Sequence, residues 1–357
     1  MSDITEQLQE QLSKILSNNE LDNGIAISGG HSKDFYGREI IGDEFSIIEH
    51  AGIIEYEPRE LVVTARTGTS LLELKNTLAE NNQMLPFEPP SYSAQATLGG
   101  TIACGFSGPR RPYGGSARDL LLGTKILNGK AEVLNFGGQV MKNVAGYDLS
   151  RLMVGAMGTL GIILQASMKV LPKPECEMTL IQELPEEDAI QMMNKLASKN
   201  LPLSASAFYQ GNLYLRFSSV ETSVKKIIEH LGGDVLKDAN SFWIELNEHR
   251  HNFFQIEKSK VLWRLSLPPA APVLALDGDV FYDWGGAQRW IYSDAKESVI
   301  RDVANSVGGH ATQFRKGDRQ SDIFHPLSSP LMSIHKQLKK TMDPAGIFNS
   351  GRLYKQF

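Results

Sequence analysis

Cysteine is nearly missing: Cys104 and Cys176 are the only two in 357 residues, and no Cys-x-x-Cys pair occurs. That argues against a disulfide framework and a cysteine zinc site, and it fits a reducing cytoplasm. No uninterrupted apolar run reaches transmembrane length. Residues 1–20 are polar and amphipathic, without the basic start and apolar block of a secretory signal. The expectation is a cytoplasmic chain whose membrane contact, at the inner face, comes only through partners. Charge of one sign is not in excess either, with 36 Lys and Arg against 41 Asp and Glu and a formal net charge of −5. Bulk charge therefore gives no reason to expect nucleic acid as a partner. No Gly-x-x-x-x-Gly-Lys-Ser/Thr string occurs, which excludes a P-loop.

Glycine is what the chain has in excess, 32 residues, with a large share between Gly99 and Gly161. Glycine serves where the backbone takes positive φ or must let another group come close. Gly155-x-x-Gly158-x-x-Gly161 departs from the Gly-x-Gly-x-x-Gly spacing of a Rossmann fingerprint. The alternation that follows it reads as a strand, whereas the fingerprint must open a helix that holds a pyrophosphate. Successive backbone N–H groups in a loop can hold a pyrophosphate without a helix. Ser28-Gly29-Gly30-His31-Ser32-Lys33, running on from a short strand at Ile25–Ser28, has that chemistry: glycines, hydroxyls and a lysine. Thr97-Leu98-Gly99-Gly100-Thr101 reads as a second such loop, and residues 109–119 add Arg110, Arg111 and Arg118. Singly, these are plain turns and solvated arginines; together in one domain they point to an anionic ligand.

The patterning predicts a helix over 4–18, strands at 47–55 and 61–66, and a helix opened by the capping box Ser70-x-x-Glu73. Asn128-Gly129 predicts a type I′ hairpin, and alternation predicts a strand over 162–170. Pro172-Lys173-Pro174 marks a boundary. Strands near 178–184, 203–209, 213–217, 261–267 and 289–292 then alternate with helices near 186–198, 221–231 and 294–307. The fold class is α+β, the second domain an antiparallel sheet with helices on one face. The expected division is 1–172, 173–329, and a helix and tail at 330–357 returning to the first domain. His249-Arg-His251 could not share a helix face as a metal pair, so no metal site is expected. His310 and His325 are candidate bases, with an ordinary surface or hydrogen-bonded role equally open.

Longer strings carry a resemblance. Residues 61–69 and 83–90, Ala96-Thr97-Leu98-Gly99-Gly100, Gly108-Pro109-Arg110-Arg111, Phe136 to Leu152 and on through Pro172 resemble the FAD-binding subunits of bacterial glycolate oxidases. So do Asp283-Trp284-Gly285-Gly286-Ala287, Gly308 to Thr312 and Phe348-Asn349-Ser350-Gly351-Arg352. The resemblance implies a vanillyl-alcohol-oxidase type flavoprotein: a PCMH-type FAD-binding domain of two α+β subdomains, and a smaller α+β cap over the flavin. By motif position, Ser28, Gly29, Gly30, His31, Ser32 and Lys33 would form the pyrophosphate loop. Pro90, Thr97, Gly99, Gly100, Gly105, Ser107, Gly108, Arg118 and Asp119 would line the diphosphate, ribityl chain and flavin edge. Gly158, Thr159, Gly161, Ile162 and Ile163 would meet the other side. His31 stands where related Gly-Gly-His loops attach FAD covalently; non-covalent FAD is the expectation here.

The implied role is an accessory subunit working with a larger FAD-containing subunit and an iron–sulfur subunit. Electrons from a small 2-hydroxy acid, glycolate going to glyoxylate, would pass through the complex to a membrane quinone. The cap lacks the second histidine near Gly309-His310-Ala311 that a catalytic sister subunit would carry. Two other roles follow from the same residues: a free-standing 2-hydroxy-acid dehydrogenase with His310 or His325 as base, or an assembly subunit with a degenerate flavin site.

Overall fold

The structure is a computed structural model in which residues 2–18, 24–138, 148–256 and 259–357 are described; the stretch 139–147 inside the Phe136–Leu152 string lies outside them. The first domain is built on an antiparallel sheet in the order Ile53–Glu57, Val62–Arg66, Ile162–Lys169, Leu121–Leu127, Val133–Gly137. Its central strand, Ile162–Lys169, is buried at six of eight positions. Ile162 and Leu164 enter a core with Leu8 and Leu12 of the first helix, Thr5–Asn18, while Ala166 and Met168 join Leu71, Leu74, Leu78 and Ile102. A register shift opposite Lys125 and Ile126 falls between those two sets, and such a shift moves side chains to the other face. One strand thereby serves two cores. Beside the sheet, Ile25–Ser28 pairs in parallel with Asp43–Ser46 and delivers the Gly29–Lys33 loop from its end.

Several local expectations are corrected. Of the strand expected over 47–55 only residues 53–55 are strand, within Ile53–Glu57; residues 47–50 form a turn that follows the strand Asp43–Ser46, which the pattern reading missed. Gly68 packs against the carbonyls of Ile47, Ile48 and His50, and its N–H donates to His50. That tertiary contact holds the turn and overrides the β-branched run. Ser70 accepts from Leu72 N–H at 3.2 Å, an ordinary N-cap bond to the second helical residue and not the bond to Glu73 N–H that the expected box requires. Thr97–Thr101 is not a loop but the first turn of a helix, Leu98–Cys104, with Thr97 as N-cap. The Asn128-Gly129 turn places its positive φ (58°) on Ala131 rather than on Asn128 or Gly129. Asn128 Oδ1 accepts from the N–H groups of Lys130 and Glu132, so the loop is a longer hairpin closed by its asparagine.

The second domain is an eight-stranded antiparallel sheet, ordered Asp234–Val235, Cys176–Glu183, Asn212–Ser219, Leu203–Tyr209, Val280–Asp283, Gln288–Ser293, Val261–Ser266, His310–Arg315. Helices Glu186–Ala197, Glu221–Leu231 and Glu297–Ser306 cover one face through Met193, Leu196, Val224, Ile228, Ile300 and Ala304. The opposite face carries Trp290, Tyr292 and Phe314 and meets Tyr36, Phe106 and Met157 of the first domain. Strand Leu203–Tyr209 is buried at every position because both of its faces are covered. Strands Val280–Asp283 and His310–Arg315 escaped the pattern reading. The second is HATQFR, whose Thr312 and Gln313 are polar yet buried.

After the helix Ser329–Met342 the chain returns to the first domain, where Phe348 bridges to Ile25. No helix among the described residues is long and apolar enough to cross a membrane.

Candidate cofactor site

A cavity of about 370 Å³ opens where the Ile25–Ser28 strand ends, within the size range of cofactor sites. Ser28, Gly29, Gly30, His31, Ser32, Lys33, Thr97, Gly99, Gly100, Gly158, Gly161 and Ile163 all line it. Among the described residues, the N–H groups of Gly29, Gly30, His31, Ser32 and Lys33 donate to no protein acceptor. A Cβ added at Gly30 would fall on the carbonyl oxygen of Gln95, and one at Gly29 would stand 2.9 Å from Thr97 Oγ1. The loop is thus a row of open donors on a backbone pressed against its neighbour.

Gly99 and Gly100 have a different part. Their N–H groups are spent on Thr67 O (2.8 Å) and Thr97 Oγ1 (3.1 Å). What these glycines supply is a thin wall, since a Cβ on Gly99 would meet Thr67 at 2.8 Å. Gly158, at φ +75°, lies against Asn349, whose Nδ2 would be 2.5 Å from an added Cβ. Asn349 ties the site together: Oδ1 accepts from Ile27 N–H at 2.8 Å and Nδ2 donates to Met157 O at 2.6 Å.

The other expected site residues lie elsewhere. Gly105 is the left-handed C-cap of Leu98–Cys104. Arg118 and Asp119 are exposed, Asp119 accepting from Ser116 instead. Thr159 is buried beside the cavity wall, its carbonyl accepting from Lys339, and Ile162 turns into the core of the first helix. Pro90, Ser107 and Gly108 line a separate void of about 20 Å³ against the cap, with His249, Arg264, Asp283, Trp290 and Phe314. Such a void holds about one water. His310 and His325, 6.4 Å apart between ring centroids, line neither space.

Lining residues that the sequence reading missed include Ile40, Cys104, Met157, Arg319, Asn349 and Arg352. The closing string Phe348–Arg352 was the one available signal for the last two.

The electrostatics are graded. At the outer lip His31 lies between Asp34 (Nδ1 to Oδ2, 2.7 Å) and Glu44 (Nε2 to Oε1, 3.1 Å). The bond to Asp34, outweighing partial burial, raises its pKa and favours the imidazolium. Deeper in, Lys33 is 5% exposed, and burial pushes its pKa down. In the small void, burial and then the charges of Arg315 and Arg264 hold His249 neutral.

The residues fit a dinucleotide with a flavin. Open N–H donors and buried cations suit a diphosphate, while Ile27, Ile40, Ile47, Ala103 and Ile163 provide apolar wall. Residues 10–137 match the family described as FAD binding domain. Alkyldihydroxyacetonephosphate synthase has the same fold at a TM-score of 0.65, over 96% of this chain and 74% of that one, with 15% sequence identity. Fold and cavity together define an FAD-binding protein of the PCMH type. Glycolate oxidase subunit GlcE of Escherichia coli (strain K12) is 45% identical over 352 residues, 99% of this chain and 98% of its own. The chain belongs to the GlcE family of glycolate oxidase subunits. Glycolate oxidase subunit GlcD of Bacillus subtilis (strain 168) is 32% identical over 163 residues, 45% of this chain and 34% of that subunit.

Proposed function

We propose that the chain is the FAD-binding accessory subunit of a glycolate oxidase complex, taking part in oxidation of glycolate to glyoxylate beside a larger flavin subunit and an iron–sulfur subunit. The observation that carries this reading is the 370 Å³ cavity with its row of open N–H donors, in a chain similar end to end to a glycolate oxidase subunit. FAD, when bound, supplies the electron acceptor. The chain's residues would bind and orient it: Gly29 to Lys33 at the diphosphate, Thr97, Gly99, Gly100, Gly158 and Gly161 as close walls, and Ile27, Ile47 and Ile163 against apolar parts.

FAD is held non-covalently in this reading, because both ring nitrogens of His31 are engaged by Asp34 and Glu44. Oxidising a 2-hydroxy acid needs a cation for its carboxylate and a base for its hydroxyl. Arg264 and His249 are of those types, yet the space they border is about 20 Å³, too small for even the smallest such acid. The reading therefore assigns substrate oxidation to a partner.

One experiment tests the whole reading. The purified chain is examined by visible spectroscopy, then given glycolate without oxygen. A flavin spectrum that persists is expected, with yellow colour released on acid precipitation. Bleaching by glycolate would replace this reading with a free-standing dehydrogenase, and a colourless chain that takes up no FAD would replace it with an assembly subunit.

A further inference from the structure

Lys33, Arg319 and Arg352 line the cofactor cavity from three distant parts of the chain, and among the described residues none of them pairs with a carboxylate. Lys33 Nζ has only Ser32 Oγ at 3.1 Å and Ser91 O at 3.4 Å as acceptors, with the Tyr92 ring 5.9 Å away. An ammonium has three donors, and a buried one without a counter-ion is costly. Arg319 donates to Gly37 O (3.0 Å) and Arg38 O (3.4 Å), and Arg352 to Arg38 O (2.9 Å) and Asp34 O (3.4 Å). Backbone carbonyls hold both guanidinium groups in place without cancelling their charge.

The three are near one another. Arg319 and Arg352 both donate to the carbonyl of Arg38, and Arg352 also donates to the carbonyl of Asp34, the residue next to Lys33. The acids bordering the cavity, Asp34, Glu39 and Glu44, are all exposed, and His31 engages two of them. Acids stand at the lip and cations inside.

We propose that Lys33, Arg319 and Arg352 form an anion seat for the diphosphate of the bound dinucleotide. Two of its members come from outside residues 10–137, the part that matches the FAD binding domain family. The inference rests on the FAD reading, and it makes the cap's last loop and the C-terminal tail part of the cofactor site. The charge of Glu248 reaches Lys33 without a direct ion pair, and the diphosphate would give it an anion in contact.

The test uses the full chain stripped of flavin, titrated with FAD, with ADP as a diphosphate lacking flavin, and with riboflavin as flavin lacking phosphate. Lys33→Met is expected to weaken FAD and ADP about 10- to 100-fold, the loss of a charge-assisted bond, and to leave riboflavin unchanged. Without ligand, Lys33→Met should melt no lower than wild type, because an unpaired buried ammonium has been removed. Lys33→Arg should retain much of the affinity, and Arg319→Gln should weaken FAD and ADP in the same sense. Unchanged ADP and FAD affinity in Lys33→Met, or an equal loss of riboflavin, overturns the seat. ADP binding that depends on Lys33, without FAD binding, keeps the seat and removes the FAD reading. FAD binding indifferent to Lys33 does the reverse, and binding of neither ligand removes both.

Discussion

Gly30 shows how little freedom a single position has. The carbonyl of Gln95 occupies the place of any Cβ there, so Gly30→Ala must displace the loop that carries the open N–H groups. The expected result is a loss of about 1–3 kcal/mol of stability, read in urea unfolding, with FAD affinity at least ~10-fold weaker by fluorescence quenching. Asp283 poses a different problem. It is buried in the cap and accepts from Trp284 N–H at 2.7 Å and Gln288 Nε2 at 3.1 Å. Burial outweighs those bonds and pushes its pKa up to about 7, against about 3.9 in an unfolded chain. The unfolded state therefore ionises first, and the native state's advantage, complete below the unfolded pKa, is lost as pH rises through the folded one. Between about pH 4 and about pH 7, wild-type stability should fall relative to Asp283→Asn by an amount on the order of 2–4 kcal/mol. Parallel urea titrations across that window that differed by nothing would refute the assignment.

Among the elements, the C-terminal helix does more than its exposed surface suggests. Lys339, buried on Ser329–Met342, donates to Asp343 Oδ2 (2.7 Å), Phe348 O (2.6 Å) and Thr159 O (2.8 Å). Asp343 in turn accepts from the N–H groups of Ile347 and Phe348. This pair folds the tail back so that Asn349 reaches Ile27 and Met157 at the cavity. Truncating one partner leaves a buried charge alone, so Lys339→Met should cost about 3–5 kcal/mol. Because the tail then loses its anchor, hydrogen exchange should rise in residues 343–357 and at the Gly158–Gly161 loop. Exchange confined to the helix itself would separate the tail from the site.

The two domains of the molecule are joined by charge as well as by rings. Glu88 of the first domain accepts from Arg110 Nε at 3.0 Å and from Arg216 Nη2 of the cap at 2.9 Å, and Glu177 of the cap pairs with Arg110. Burial opposes ionisation of Glu177, but Arg216 and Arg110 outweigh it and hold its pKa below the usual range. Glu88→Gln strips one charge from a mostly buried network, and a loss of about 3–5 kcal/mol is expected in thermal or urea unfolding. The same change should leave riboflavin binding intact if the cap and the cavity are energetically separate, which the titrations above can measure.

Much of this architecture is readable in the chain itself. Hydrophobic period, proline stops and glycine pairs are local properties, so they place the first helix, most cap strands and the Gly29–Lys33 loop. Long matching strings add the flavoprotein family. Other features are not local. Gly99 and Gly100 look like donors in sequence, but Thr67 and the cap on Leu98–Cys104 consume their N–H groups. Arg118 looks like a phosphate ligand, yet it faces solvent. By itself, the sequence determined an α+β fold with a loop suited to an anionic ligand, because backbone freedom and apolar alternation are written residue by residue, and the resemblance of its longer strings implied that the ligand is a flavin. Only the tertiary structure decided that Lys33, Arg319, Asn349 and Arg352 share one cavity while His310 and His325 do not border it. Such proximity is set by how the domains and the tail pack, and no local pattern records it.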